Sequence, residues 1–524
     1  MRRVMCVFVL LALAGSAYAE LQSVVVGGEL RIRGRWWRNA YAAAPVSRMP
    51  IGAFGRRPIG PFGVASQYDW DNRGGDLKFV EQRTLLNVRA DFTDKVSAFI
   101  ELEDYERWGQ DFRSNYITGV DTRANSIDDI EVFQAYIDVN DLFGQPLRLR
   151  IGRQELTMGK SWLIGSRVSP CLGISYDGLR LTYAKDDLSI DAWWSKLAEN
   201  GTGEEDGDVD YYGVYATYSG IKPLSLSAYW TYIRDARAVT DMNLGWGANR
   251  LEHCLGLDDY DVTNFHTVGV RAFGKYEALD YDLELAYQFG NADATGALFP
   301  EVSFWGAYGD DRAKYDAWAG DLEVGYTFDA TCKPRIFVGG AYFEGEDNRH
   351  LNFWEWVNPF DRSDASISFN RLFSGVWYSS IMDIVGGASD LSNFWQARAG
   401  ISANPTEAVS TGLILQYYGI VKPFDWPEYV TLPTVGHYPP LRFPIAPALG
   451  FWTDKASDDI GVLTHVWMKY TYSPDLWIKI GWEHLFTGDG LAEGSFTRNN
   501  GLRIDAGTAK DDADYIYFDT QLKF

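Results

Sequence analysis

The stretch "ALDYDLELAYQF", residues 278–289, alternates between apolar and polar side chains. The side that begins at Leu279 carries leucine and tyrosine, whereas the side that begins at Asp280 carries aspartate, glutamate and glutamine. Successive side chains of a β-strand point to opposite faces, so this period of two predicts a strand with one apolar and one polar face. A helix would scatter the same residues around its circumference.

The alternation recurs in about eighteen segments, for example "PLSLSAYWTYI" (223–233) and "DLWIKIGWEHL" (475–485). The predicted strands are 29–38, 79–92, 95–104, 130–140, 147–155, 177–184, 188–195, 209–219, 223–233, 265–275, 278–289, 317–328, 334–343, 393–403, 408–418, 461–473, 476–486 and 513–524.

The connections between these segments alternate between short turns and long loops. The longest loops, at 39–78, 344–392 and 419–460, are longer than a compact soluble domain usually carries. No apolar run approaches the length of a membrane-spanning helix, so the remaining route into a membrane is a closed barrel. We therefore predict an all-β fold: a transmembrane antiparallel β-barrel of about 18 strands over residues 29–524. Long loops are then extracellular and short turns periplasmic.

The N-terminus predicts export. Arg2 and Arg3 precede an apolar stretch at 4–13 and an Ala-Tyr-Ala site at 17–19, the pattern of a cleaved signal peptide covering 1–19. Residues 20–28 are then a short periplasmic segment before the barrel, and the location is the outer membrane of a diderm bacterium. A formal net charge of -23 disfavours nucleic-acid binding through a basic field.

The stretch "LRLRIGRQELTMGKSW", residues 147–162, ends in a Gly-Lys-Ser that resembles a nucleotide-binding P-loop. A P-loop also needs a glycine five positions before its Gly-Lys, and Gln154 stands there. The preceding segment carries arginine on alternate positions, unlike a strand buried on both faces. We interpret it as another amphipathic barrel strand, with Arg153 out of phase and facing outward near the rim.

Arginine recurs on the polar faces of the predicted strands. An arginine that faced lipid at mid-bilayer would cost about 2–4 kcal/mol, so these side chains are expected to face the lumen. They are Arg31, Arg33, Arg35, Arg83, Arg89, Arg148, Arg150, Arg180, Arg271 and Arg398. Two interpretations stay open: an electropositive lining that guides an anionic solute, or a set of interior ion pairs.

Acidic residues are predicted to face the same lumen and would be the partners in such pairs. They are Glu81, Asp91, Glu101 and Glu103 on early strands and Asp280, Asp282, Glu284, Asp321 and Glu323 on later strands, the latter forming an acidic wall. Inward aromatic residues such as Trp37, Tyr229 and Trp477 either stack on sugar rings or pack against inward loops.

The runs "VEQRTLLNVRADF", "SAFIELEDYERWG", "EVFQAYIDV" and "LRLRIGRQELTMGKSWLIGS" resemble the alginate-export family of outer-membrane porin-like proteins, best over residues 77–183. The resemblance implies an eighteen-stranded monomeric barrel whose arginine-rich lumen passes an anionic polysaccharide. The acidic wall argues against alginate as the cargo.

We therefore predict a passive channel for anionic solutes that uses no cofactor and catalyses no reaction. Loop 39–78 or 344–392 folds inward to narrow the pore, and lipid and the solute are the expected partners. The alternatives are a lipase-like barrel enzyme with His484 near the outer rim, or a barrel scaffold for partner proteins. Cys171 and Cys254 are candidates for a loop disulfide. Asp206, Asp208 and Asp210 could hold calcium but fit an ordinary acidic loop better.

Overall fold

The computed structural model describes residues 21–39, 76–93, 95–109, 114–115, 120–121, 130–166, 173–199, 207–237, 250, 254, 262–292, 313–345, 347, 365–381, 392–423, 425–427, 429–431, 442–444, 453–455, 457–490, 495–498, 503–506 and 511–524. The predicted signal peptide, 1–19, lies outside these described residues. Within them, the structure contains no helix with the length and hydrophobicity needed to cross a bilayer.

Eighteen long strands form the wall of the molecule. They are β1 (Ser23–Arg38), β2 (Leu77–Thr93), β3 (Val96–Arg107), β4 (Glu131–Val139), β5 (Leu147–Gln154), β6 (Tyr176–Lys185), β7 (Leu188–Ala198), β8 (Val209–Ile221), β9 (Leu224–Asp235), β10 (Thr263–Tyr276), β11 (Leu279–Asn291), β12 (Ala313–Thr327), β13 (Arg335–Phe343), β14 (Phe394–Ala403), β15 (Val409–Ile420), β16 (Asp459–Thr471), β17 (Leu476–Thr487) and β18 (Ala513–Lys523). Every predicted strand corresponds to one of them, so the predicted fold class is confirmed.

Each strand pairs antiparallel with the next, and β18 pairs with β1, for example Phe518 with Gly34, which closes the sheet. The turns that follow the even-numbered strands are short, such as Asp186–Asp187 between β6 and β7, and the loops that follow the odd-numbered strands are long. The short turns, the start of β1 and the end of β18 therefore all lie at the same end of the barrel. An even number of strands requires this arrangement.

The first strand begins earlier than the sequence pattern predicts. Residues 20–28 were expected to form a periplasmic segment, but β1 starts at Ser23, which pairs with Asp91 of β2. The run Val24-Val25-Val26 has no polar residue to mark an alternation, which is why periodicity did not reveal this part of the strand.

The two faces of the wall differ as the alternation predicts. On β11, Leu283 and Leu285 are exposed, whereas Glu284 between them is only 4% exposed. Near the outer ends of the strands, outward rings of Tyr232, His266 and Phe289 stack on one another, with centroids 4.5 and 4.9 Å apart. Such an aromatic girdle is typical of the membrane–water interface of barrels.

The core of the molecule lies inside the barrel, towards its outer half. Inward side chains such as Tyr211, Phe343, Phe394 and Leu463 are fully buried there against residues of two loops that enter the bore. A short strand in one of these loops, Ala365–Ile367, runs parallel to the start of β12.

Smaller elements decorate the loops. They are the 3-10 helix Leu142–Gly144 and the two-stranded pairs Ser114–Asn115 with Val120–Asp121, Asp425–Pro427 with Thr453–Lys455, Tyr429–Thr431 with Arg442–Pro444, and Ser495–Arg498 with Arg503–Ala506.

Candidate functional site

Arginine side chains on the inner face are mostly engaged in ion pairs. Nine of the ten predicted lumen arginines lie within 4 Å of a carboxylate. These pairs are Arg31–Asp519, Arg33–Glu81, Arg35–Glu81, Arg83–Glu103, Arg89–Asp91, Arg150–Asp138, Arg180–Asp191, Arg271–Asp282 and Arg398–Asp321. The tenth, Arg148, donates to the Thr182 hydroxyl at 3.2 Å. Of the two interpretations that the sequence left open, interior ion pairing describes these nine.

The predicted acidic residues of β2 and β3 are the partners on one wall. The Glu81 carboxylate lies 3.0 Å from Arg33 and 3.3 Å from Arg35. Glu101 instead accepts hydrogen bonds from Gln134 at 2.8 Å and Asn87 at 3.3 Å. The glutamates of this wall therefore all have basic or amide partners, and these contacts hold neighbouring strands in register.

The acidic wall expected on β11 and β12 is present and is compensated by cations. The register places Asp282 opposite Glu323 and Glu284 opposite Asp321. Like charges directly opposite each other destabilise a strand pair. Four basic side chains offset that repulsion: Arg271 and Arg398, which were predicted, and Lys160 and Arg335, which were not. Arg335 stands at the start of an alternating segment, so its phase with Phe337 was a usable signal.

Two of these arginines reach past their nearest neighbour strand. Arg398 on β14 contacts Asp321 at 3.0 Å on β12 because β13 presents Gly339 between them. A Cβ at Gly339 would lie 3.0 Å from Arg398 Nε. Arg335 likewise lies over Gly325 on its way to Asp280 on β11. Inward glycines thus open a route for second-neighbour ion pairs.

Two loop segments occupy the bore. We call residues 155–166, which follow β5, the first inward segment, and residues 365–381 the second inward segment. They are joined by backbone hydrogen bonds from Gly165 to Phe373 (3.1 Å), from Phe373 to Leu163 (3.1 Å) and from Gly375 to Ser161 (2.8 Å). Because backbone bonds fix both partners, the two segments form one unit across the bore.

The first inward segment contains the Gly-Lys-Ser that resembled a P-loop. Lys160 lies 2.7 Å from Asp321 and 3.2 Å from Asp282, so its amine serves an ion-pair network on the far wall. Burial raises the pKa of Glu155, at the start of this segment, above its usual value. Arg153, just before it, faces outward and pairs with Asp177 at 2.8 Å, as its phase predicts.

The second inward segment is fastened to several strands. The Tyr378 hydroxyl donates to Asp321 at 2.9 Å, and the Glu483 carboxylate accepts from Ser379 Oγ at 3.1 Å and from the Ser380 amide at 2.9 Å. Burial raises the pKa of Tyr378 well above its usual value, so the phenol stays a donor. The segment therefore spans from β12 to β17 and constricts the bore.

The structure tests part of the prediction that loop 39–78 or 344–392 folds into the pore. The expected inward folding of 344–392 is confirmed for residues 365–381, and residues 40–75 of the other candidate loop lie outside the described part of the chain. That 155–166 also turns inward was not predicted. Of the aromatic residues considered for sugar stacking, Trp37 and Tyr229 are buried by packing, whereas Trp477 is half-exposed in the lumen.

Two lysines near the short-turn end of the lumen differ from the arginines. No acidic side chain in the described ranges forms a salt bridge with Lys469 or Lys479. Instead, the Lys469 amine lies 4.7 Å from the ring centre of Trp477, and the Lys479 amine lies 5.2 Å from that of Trp467. We call these four residues the lysine–tryptophan patch; its two amines lie over indole rings and form no described salt bridge.

Comparison with known proteins identifies the family. A family model described as "Alginate export" matches residues 65–496. The chain belongs to the alginate export family. Its location in the outer membrane and its role as an outer-membrane channel follow from this family and from the closed barrel.

Solved structures to which this chain is similar include three from Pseudomonas aeruginosa. OpdQ is 10% identical with a TM-score of 0.46 and covers 97% of this chain and 99% of its own. OpdO is 10% identical with a TM-score of 0.48, and the match covers 97% of this chain and 98% of OpdO. OprD is 12% identical with a TM-score of 0.45, and the match covers 97% of this chain and 98% of OprD. A comparison with curated proteins finds no match.

Three smaller predictions concern a disulfide, a calcium site and a lipase-like histidine. The Cys171–Cys254 disulfide stays a prediction, because Cys254 is exposed and Cys171 lies outside the described residues. Asp208 and Asp210 contact Lys196 at 2.6 and 3.1 Å, and Asp206 is not described. No group of three or more potential metal ligands occurs among the described residues.

His484, considered for a lipase-like site, pairs with Asp514 at 2.8 Å on the outer face.

Proposed function

We propose that this outer-membrane channel passes anionic solutes by diffusion, and that acidic oligosaccharides or polysaccharides are among them. The observation that carries the proposal is the lysine–tryptophan patch. Nine of the ten predicted lumen arginines are compensated by neighbouring carboxylates, whereas Lys469 and Lys479 form no described salt bridge, so the charge of these two lysines remains available.

The magnitude of this effect supports selectivity rather than tight binding. One unit charge at about 5 Å from an anion in water contributes about 0.8 kcal/mol, which is roughly a fourfold preference. Weak, exchangeable attraction suits a channel, because a solute that binds tightly would not leave. The indole faces beside the amines add apolar surface that suits the face of a sugar ring.

The test is the reversal potential of single channels in a planar bilayer with a potassium chloride gradient. We expect the wild-type channel to prefer chloride, and Lys469→Gln with Lys479→Gln, which removes two charges, to lower the chloride-to-potassium permeability ratio by at least roughly fourfold. A matched control, Arg150→Gln with Asp138→Asn, removes a paired cation together with its carboxylate and should leave the ratio unchanged.

The polysaccharide part has a separate readout. Oligomers of a uronic acid should interrupt the current from the short-turn side, whereas neutral dextran oligomers of equal length should interrupt it less, and the difference should shrink in the lysine double variant. Cation preference in the wild type, or an equal shift in the paired control, would contradict the proposal.

A further inference from the structure

We infer that solutes cross the barrel eccentrically, along the wall formed by β1 and β15–β18, rather than through the centre of the bore. The inference rests on the proposed channel function and adds to it the path and the residues that line it. It follows from how unevenly the two inward segments fill the lumen.

The wall from β6 to β13 is covered. The Phe373 ring of the second inward segment packs 5.2 Å from both Tyr176 and Tyr211. Gln288 donates to the Asn370 carbonyl at 2.7 Å and accepts from the Asn370 amide at 2.8 Å. Inward residues here, such as Thr267 and Gln288, are at most 1% exposed. At this level, that side of the bore offers no surface to a solute.

The opposite wall borders a cavity of about 320 Å³. Its sides include Arg31, Arg33, His465, Lys479 and Tyr517, and residues 377–380 of the second inward segment form its roof. His465, Lys479 and Tyr517 are half-buried rather than covered. A space of this size lies at the lower end of the range for small-molecule sites, so it admits one small ring or chain segment at a time.

Hydrogen-bond donors that the protein does not use line this cavity. Arg33 Nε forms an ion pair with Glu81 at 3.0 Å, and its buried Nη2 has no hydrogen-bond partner among the described residues. The Lys479 amine contacts aromatic rings and forms no described salt bridge. The half-buried Lys479 amine attracts a carboxylate or phosphate that enters the cavity, so an anion is stabilised on this side.

The roof is attached by a different kind of contact from the rest of its segment. Residues 373–375 are held to the first inward segment by backbone hydrogen bonds, whereas the roof is held to the wall mainly through the side chains of Trp37, Tyr418 and Glu483. Side-chain contacts can exchange without unfolding the segment, so the gap between the roof and the wall of β1 and β15–β18 is the easier place for a solute to pass.

Cysteine accessibility tests this path. In a background with Cys171, Cys254 and Cys332 replaced by serine, His465→Cys and Lys479→Cys are placed in the cavity, and Thr182→Cys provides a half-buried lumen position on β6 as the matched control. Each variant is first shown to fold by its heat-modifiable gel migration. A charged and a neutral methanethiosulfonate reagent are then applied during single-channel recording.

We expect modification of His465→Cys and Lys479→Cys to remove most of the conductance, and modification of Thr182→Cys to leave most of it. Equal loss at Thr182→Cys, no loss after verified modification of the cavity variants, or cavity cysteines that do not react would each overturn the eccentric path. Because the neutral reagent reports the path alone, these outcomes can occur while anion preference persists, and the proposed function then stands.

Discussion

Replacement of Asp321 by asparagine tests whether the constriction and the wall are one mechanical unit. Asp321 is 5% exposed and receives the Lys160 amine at 2.7 Å, the Arg398 guanidinium at 3.0 Å and the Tyr378 hydroxyl at 2.9 Å. One carboxylate therefore joins β12, β14 and both inward segments. Asn keeps the shape and one carbonyl acceptor while it removes the charge.

The expected cost can be bounded from the contacts. Removal of one partner of a buried ion pair typically costs about 3–5 kcal/mol, because a charge is left without compensation. Here both cations keep a second carboxylate: Lys160 lies 3.2 Å from Asp282, and Arg398 lies 3.3 Å from Glu323. Hydrogen bonds to a charged group are worth about 1.5–3 kcal/mol. We therefore expect Asp321→Asn to lower the free energy of unfolding by about 2–3 kcal/mol.

The assay is urea unfolding of the barrel refolded into phospholipid vesicles, followed by tryptophan fluorescence. Asp316→Asn is the matched control, since Asp316 lies on the same strand but is exposed and accepts only the Tyr287 hydroxyl in the described contacts; its effect should stay within about 0.5 kcal/mol. The double variant Asp321→Asn with Lys160→Gln should lose about 1 kcal/mol less free energy of unfolding than the losses of the two single variants added together. Strict additivity, or an Asp321→Asn barrel as stable as wild type, would refute the reasoning.

Three further outcomes are expected. Gly152→Ala should lower the free energy of unfolding by at least about 2 kcal/mol, because Gly152 has φ +126° and a Cβ would lie 2.2 Å from the Ala135 carbonyl oxygen. The control Gly144→Ala, at φ +72° in open space, should lower it by roughly 1 kcal/mol. Urea unfolding compares the two variants. Trp162→Ala should lower the free energy of unfolding by about 3–5 kcal/mol, since Trp162 is 1% exposed and donates a hydrogen bond to Tyr378 at 2.9 Å. It should also raise the permeability to neutral solutes, measured by vesicle swelling. Cys254 should react with maleimide without reductant. Reaction only after a reductant is added would instead support the disulfide with Cys171.

Strand positions followed from the sequence because a barrel imposes one physical requirement on every strand. Each inward side chain meets polar surroundings and each outward one meets hydrocarbon, so polarity alternates at "ALDYDLELAYQF" and throughout the wall. The pattern fails where that requirement relaxes. Val24–Val26 extend β1 beyond the last residues of β18 and carry no alternation, so their strand was missed.

The partners of inward charges did not follow from the pattern. Periodicity assigns a side chain to a face but does not say how far it reaches along that face. Arg398 would be expected to find a partner on β13 or β15, and it contacts Asp321 on β12 only because Gly339 leaves the space above β13 empty.

The first inward segment was missed for a related reason. Its apolar residues Leu156, Trp162, Leu163 and Ile164 stand in a loop that an alternation search treats as extracellular. An apolar cluster in a long loop of a barrel has few ways to leave water, and one is to enter the bore. In this chain the partner that covers it, Phe373, lies more than two hundred residues away along the sequence.

The division of labour between arginine and lysine in the lumen has a physical basis. An arginine presents a planar fork that fits a carboxylate in two places, as Arg31 does with Asp519 and Arg150 with Asp138. A guanidinium held this way is neutralised and fixed, so it braces neighbouring strands but attracts a passing anion only weakly. A lysine amine is a point charge on a flexible stem, and an indole face can orient it without cancelling its charge. Counting lumen arginines therefore overestimates the uncompensated charge of the lumen, because nine of the ten predicted ones are paired, whereas the lysines over Trp467 and Trp477 form no described salt bridge.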